Sequence, residues 1–219
     1  MASAADLEQM LEDVKTELDD ATQRSGIEAG DFVLEADIKR IWRKPGRLSK
    51  LFPFDWALEN DGSALEFIRI NLLKVVSILV AIHWRDWPRL NTIFINQPNH
   101  HHLDKDLPFT NLSELKQASF LRSFGKEFYE KQWTFLPTVI EAGKAERHPR
   151  ERRLPFVHSK YIARGGSATV YKETIAAGYF SFLNGKNDSV CPFIHPTMVK
   201  RTVSLILLFS LRLLRSLVR

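Results

Sequence analysis

SALEFIRINLLKVVSILVAIHW, residues 63–84, decides the fold class. Asp61-Gly62 breaks the chain ahead of it, Ser63 is a good helix N-cap, and Glu66 follows at the capping-box spacing. The run is apolar enough to raise the question of a membrane span. Arg69 and Lys74 interrupt it, and the apolar stretch from Val75 to Ile82 falls well short of the ~20 residues a bilayer requires. The stretch therefore predicts the central buried helix of an α-helical region.

Working outward, residues 4–23 place Leu7, Leu11, Val14, Leu18 and Ala21 at helical spacing with acids on the other faces, an amphipathic surface helix. A second short helix carries Phe32, Val33, Ile38, Ile41 and Trp42 and ends at Pro45-Gly46. Downstream, a helix is expected over about 87–95. Another starts near Asn111 or Ser113 and turns Leu115, Phe120, Phe124 and Phe128 inward. NQPNHHHLDKDLPF reads as a loop of solvated histidines. Consecutive His100, His101 and His102 point in different directions and do not form a preset ligand face, and Asp104 and His83 would join them only by accident of folding. No metal site is predicted. Residues 146–153 form a charged linker, so the helical region is expected to span 1–145.

Composition is ordinary for a globular chain of 219 residues, 44% hydrophobic and 26% charged. The lone Cys191 excludes an intramolecular disulfide framework and a CxxC-type zinc site. Acids in the first 20 residues stand where a signal peptide needs an apolar run, so the expected location is cytoplasmic or nuclear. From residue 189 on, Lys200, Arg201, Arg212, Arg215 and Arg219 stand without an acid and account for the whole net charge of +5. The rest of the chain balances to zero and lacks the basic stripe of a nucleic-acid binder, so no nucleic-acid partner is expected.

From Leu154 the texture changes. LPFVHSKYIARGGSATVYKETIAAGYF is rich in β-branched and aromatic residues around a glycine pair, which predicts two strands joined by a glycine-bearing turn. Here the sequence resembles the start of a eukaryotic protein kinase N-lobe, whose glycine-rich loop reads G-x-G-x-x-G-x-V. The matching residues are Ala163-Arg164-Gly165-Gly166-Ser167-Ala168-Thr169-Val170, then Tyr171-Lys172. The middle glycine is Gly165, and alanines replace the first and third. With Gln132-Trp133-Thr134-Phe135-Leu136-Pro137 upstream and Arg153-Leu154-Pro155-Phe156 before the loop, the chain looks like fungal protein-kinase-like proteins with a helical N-terminal region.

The resemblance implies a partial N-lobe over 154–203, with Ile162, Ala163, Gly165, Gly166, Ser167, Ala168 and Val170 as nucleotide-contacting candidates. It also implies weak ATP contact, because a left-handed alanine costs ~1–2 kcal/mol where glycine is free. Lys200 is the candidate for the third-strand lysine, while Lys172 belongs to the second strand. Neither an H-R-D-x-x-x-x-N nor a D-F-G sequence follows, and no acid follows Asp188. Phosphoryl transfer needs magnesium-held phosphates and a residue that orients the nucleophile, so the sequence implies no catalytic residue and no kinase activity as it stands.

Three functions compete at this level. One is a truncated, catalytically incompetent kinase relative with a protein-interaction role. Another is the front of a Ser/Thr kinase that transfers phosphate from ATP to protein. The third is a helical interaction module whose basic apolar helix, 204–219, anchors to a membrane surface or a partner. The joint loss of acids and of family resemblance at that terminus also reads as a gene-model artefact. The fold class expected is α+β, mostly α.

Overall fold

The structure, a computed structural model, describes residues 4–24, 30–51, 63–95, 103–118, 121–141, 151–164, 168–181 and 203–210. It is α+β and mostly helical. Among the described residues six α-helices come first: α1 (Ala4–Ala21), α2 (Glu35–Trp42), α3 (Ser63–Asn71), α4 (Leu73–Ala81), α5 (Leu112–Gln117) and α6 (Gly125–Lys131). Five described strands follow: β1 (Ile140–Glu141), β2 (Phe156–Arg164), β3 (Ala168–Ile175), β4 (Phe180–Ser181) and β5 (Val203–Ser210). The chain divides into two units, Met1–Gln23 with Phe32–Leu136, and Arg24–Asp31 with Pro137–Arg219.

In the helical unit, α1 buries Val14, Leu18 and Ala21 of the stripe its spacing predicts and leaves Leu7 and Leu11 half-buried, with Met10 buried in addition. At the centre lies α4, with seven of its nine residues buried, the signature of a helix covered on every side. The long helix expected over 63–84 is broken at Leu72, whose φ of −134° and ψ of 4° leave the helical region. The cause lies about 30 residues away. Asp104 accepts the N–H of Lys74 (2.9 Å) and of Val75 (2.8 Å), which in an unbroken helix would bond to the carbonyls of Ile70 and Asn71. Burial pushes the Asp104 carboxyl above its ordinary range, although both N–H groups favour the ionised form. Asp104 is thus a helix cap supplied from a distant turn.

The helix expected over 87–95 is instead a 3₁₀ turn, Trp87–Arg89, and a π turn, Asn91–Ile95. Pro88 suits the opening of a turn because it has no N–H to satisfy. The wider π turn buries Ile93 and Phe94 in the core, and Leu90 is buried just ahead of it. Gln132 is fully buried, donating to the carbonyls of Phe109 (3.0 Å) and Tyr129 (3.2 Å) and accepting the Phe109 N–H at 2.8 Å.

Arg47 and Lys44 both donate to Glu17 of α1, and Arg47 also reaches the Ile41 carbonyl (2.8 Å). Hydrogen bonds from Arg47 bring the Glu17 pKa down to about 2. Those from Lys39 and Lys74 bring Glu35 to about 2. The folded chain protonates both carboxylates less readily than the unfolded one. Their stabilisation is therefore complete above pH 4.5 and is lost as the pH falls toward 2. Both are partly solvated, so after screening the loss is about 1 kcal/mol each. In an acid titration followed by circular dichroism, Glu17→Gln should flatten this decline; a curve parallel to that of the parent protein would refute the assignment.

In the second unit, the described residues 137–141 run beside the strands. Thr138 N–H donates to the Arg153 carbonyl (2.9 Å), Ile140 N–H to the Tyr179 carbonyl (2.9 Å), and β1 runs parallel to β4. The main sheet has the order β2-β3-β5, antiparallel throughout. The basic apolar helix expected over 204–219 is corrected over its described part. Val203–Ser210 is a strand, with Val203 opposite Ile175 and Ser210 opposite Ala168. Its uncharged VSLILLFS sequence suits a strand once the free edge of β3 supplies ladder bonds, and helical spacing of leucines does not outweigh that. Residues 211–219 lie outside the described residues.

Candidate functional site

The alternation of β-branched and aromatic residues over 156–175 yields the hairpin that the sequence predicts, β2 antiparallel to β3. Arg164 pairs with Thr169 at its tip, Ala163 with Val170, and Tyr161 with Tyr171. A register shift between Tyr161 and Ala163 places Ile162 out of the ladder, 47% exposed. Ala168 opens β3, and Val170, half-buried, pairs with Leu208 on its other side. Four of the candidate residues therefore lie close together at one end of the sheet. The other four, Gly165, Gly166, Ser167 and Lys200, lie outside the described residues. Lys200 precedes β5, and β5 itself carries no cation.

Two features of the hairpin were not readable beforehand. Glu173 is 2% exposed and accepts the Ser159 hydroxyl at 2.6 Å, while its second oxygen makes no hydrogen bond among the described residues. On the opposite face Lys160 stands directly across from Lys172, both exposed and neither ion-paired among the described residues. Like charges directly opposed destabilise a strand pair. Both features depend on a register set by two bulges, which side-chain alternation does not locate. Tyr161 and Tyr171 meet edge to face at 6.0 Å and stiffen the hairpin near its tip.

Among the described residues no group of His, Cys, Asp or Glu could hold a metal ion, and His100, His101 and His102 lie outside them. Asp104 is spent on helix capping. His83 sits in the turn after α4 with φ of 54°, beside a cavity of about 360 Å³ walled by Leu7, Leu11, Val80, Trp84 and Trp87. No described helix is long and apolar enough to cross a membrane. No protein-family model, no curated protein and no solved structure matches the chain.

Proposed function

We propose that this chain is a protein-kinase-like protein without phosphoryl-transfer activity of its own. Its hairpin contacts ATP weakly and its helical unit serves protein interaction. The observation that carries the nucleotide half is the pairing of Arg164 with Thr169, which closes two strands around Gly165-Gly166-Ser167. Glycines between paired strands leave backbone N–H groups accessible to an anion. Residues 1–219 supply neither a base-bearing catalytic loop nor a magnesium-holding D-F-G, so binding is the activity proposed for them.

Thermal melting with and without 5 mM Mg-ATP tests it. With a Kd near 1 mM, mass action gives about 1 kcal/mol, or a Tm rise of about 2–4 °C. Val170→Asp, which places a charge where the adenine would pack, should abolish the rise. No rise with the parent protein, or an equal rise with the variant, sinks the nucleotide reading.

A further inference from the structure

The helical unit carries a groove across α2 and α3 that none of the hairpin chemistry uses. Two cavities, of about 450 and 190 Å³, adjoin along it and share Lys39, Arg69, Ile70 and Leu73 as walls. Ile70 is 67% exposed, the most exposed large apolar side chain among the described residues, and it stands where the two cavities meet. One exposed isoleucine is unremarkable by itself. This one continues inward to Leu73 and Ile38, so the groove has an apolar floor that reaches solvent.

Charge gives the groove a sign. Five cations line it against three carboxylates, and each carboxylate is already engaged. Glu35 holds Lys39 (2.6 Å) and Lys74 (2.9 Å), Glu66 holds Arg69 (3.2 Å), and Asp104 accepts the two N–H groups of α4. Arg43, on the smaller cavity, and Lys105, on the larger, are exposed and make no ion pair among the described residues. An apolar floor thus lies between two unengaged cations, one toward each end.

From this we infer that the groove docks a short acidic amphipathic segment of a partner protein. Its apolar side chains would rest on Ile70 and Leu73, and its carboxylates would meet Arg43 and Lys105. A bare anion would leave the apolar floor wet. A nucleic acid would need an exposed aromatic ring for a base to stack on, and none lines the groove among the described residues. An acidic amphipathic segment satisfies floor and ends together. The inference deepens the interaction half of the proposed function and is independent of the nucleotide half.

The test is fluorescence anisotropy with a labelled 14-residue synthetic peptide, leucines at helical spacing and glutamates elsewhere, titrated with the full chain. Saturable binding is expected. Ile70→Asp should weaken it tenfold or more, and so should Arg43→Glu with Lys105→Glu, which should also flatten the salt dependence. All three positions are exposed, so circular dichroism should show the variants folded. A peptide with lysine for glutamate should bind at least tenfold more weakly than the glutamate peptide. Absence of saturable binding, equal binding by the folded variants, or equal binding of the lysine peptide overturns the inference. So does co-sedimentation with phosphatidylglycerol vesicles that needs Arg43 and Lys105 when the acidic peptide does not bind. The ATP-induced Tm rise, read on the Val170→Asp variant, is a separate measurement, and either can fail alone.

Discussion

Trp42→Ala should cost the helical unit about 4 kcal/mol and lower its melting temperature by about 10 °C. Trp42 is 2% exposed, and its indole N–H donates to the Ser77 hydroxyl at 2.8 Å. That hydroxyl in turn donates to the Leu73 carbonyl at 2.6 Å, so α2 is tied to the buried helix α4 through one relay. Alanine removes the ring and opens a cavity between the two helices. Trp42→Phe separates packing from hydrogen bonding. It keeps most of the volume and leaves Ser77 its own acceptor, so its cost should be only about 1–2 kcal/mol. Urea unfolding of both variants distinguishes them. If alanine and phenylalanine shift the midpoint equally, packing at this position does not hold α2 in place.

Gly125→Ala should destabilise the same unit by about 2 kcal/mol, against the usual sign for this change in a helix. Alanine normally gains roughly 0.5–1 kcal/mol over glycine at a helical position. Gly125 opens α6 where that helix meets α5, and a Cβ there would lie 2.7 Å from the Leu115 carbonyl oxygen and 2.9 Å from its carbon. Backbone atoms cannot swing aside as a side chain would, so the two helices must separate. Lys126→Ala, at an exposed neighbouring position, is the control and should be nearly neutral. A Gly125→Ala protein as stable as the parent would show that α5 and α6 yield at little cost.

Much of this fold can be read locally. The 3.6-residue stripe of α1, the apolar face of α2 and the alternation around Gly165-Gly166 each contain their own signal. What escapes is whatever depends on a distant partner. Leu72 ends α3 with neither glycine nor proline to mark the place, because the break is made by Asp104 from another turn. Asp104, which the sequence placed beside the histidine loop, shows its role only once it lies under α4. The segment from 204 on reads as helix because its leucines also fit helical spacing, and over 204–210 only the edge of β3 decides otherwise. Of the candidate site, the strands flanking the turn were legible and the burial of Glu173 was not, since it follows from bulged register. The groove was illegible for the same kind of reason. Arg43, Ile70 and Lys105 have no common motif and become neighbours only through helix packing.

The two edges of the three-stranded sheet differ in what they would do on meeting another copy of the chain. His158, Lys160 and Arg164 stand exposed along β2, and two register shifts bend it, features that hinder a foreign strand from laddering on. β5 is eight uncharged residues without proline or glycine, the composition of a segment prone to cross-β stacking. Self-association of the second unit is therefore a race that runs along one edge only. Yield on refolding depends on whether 203–210 reaches β3 of its own chain before it reaches a neighbour's, and so on protein concentration more than on the strength of any single contact.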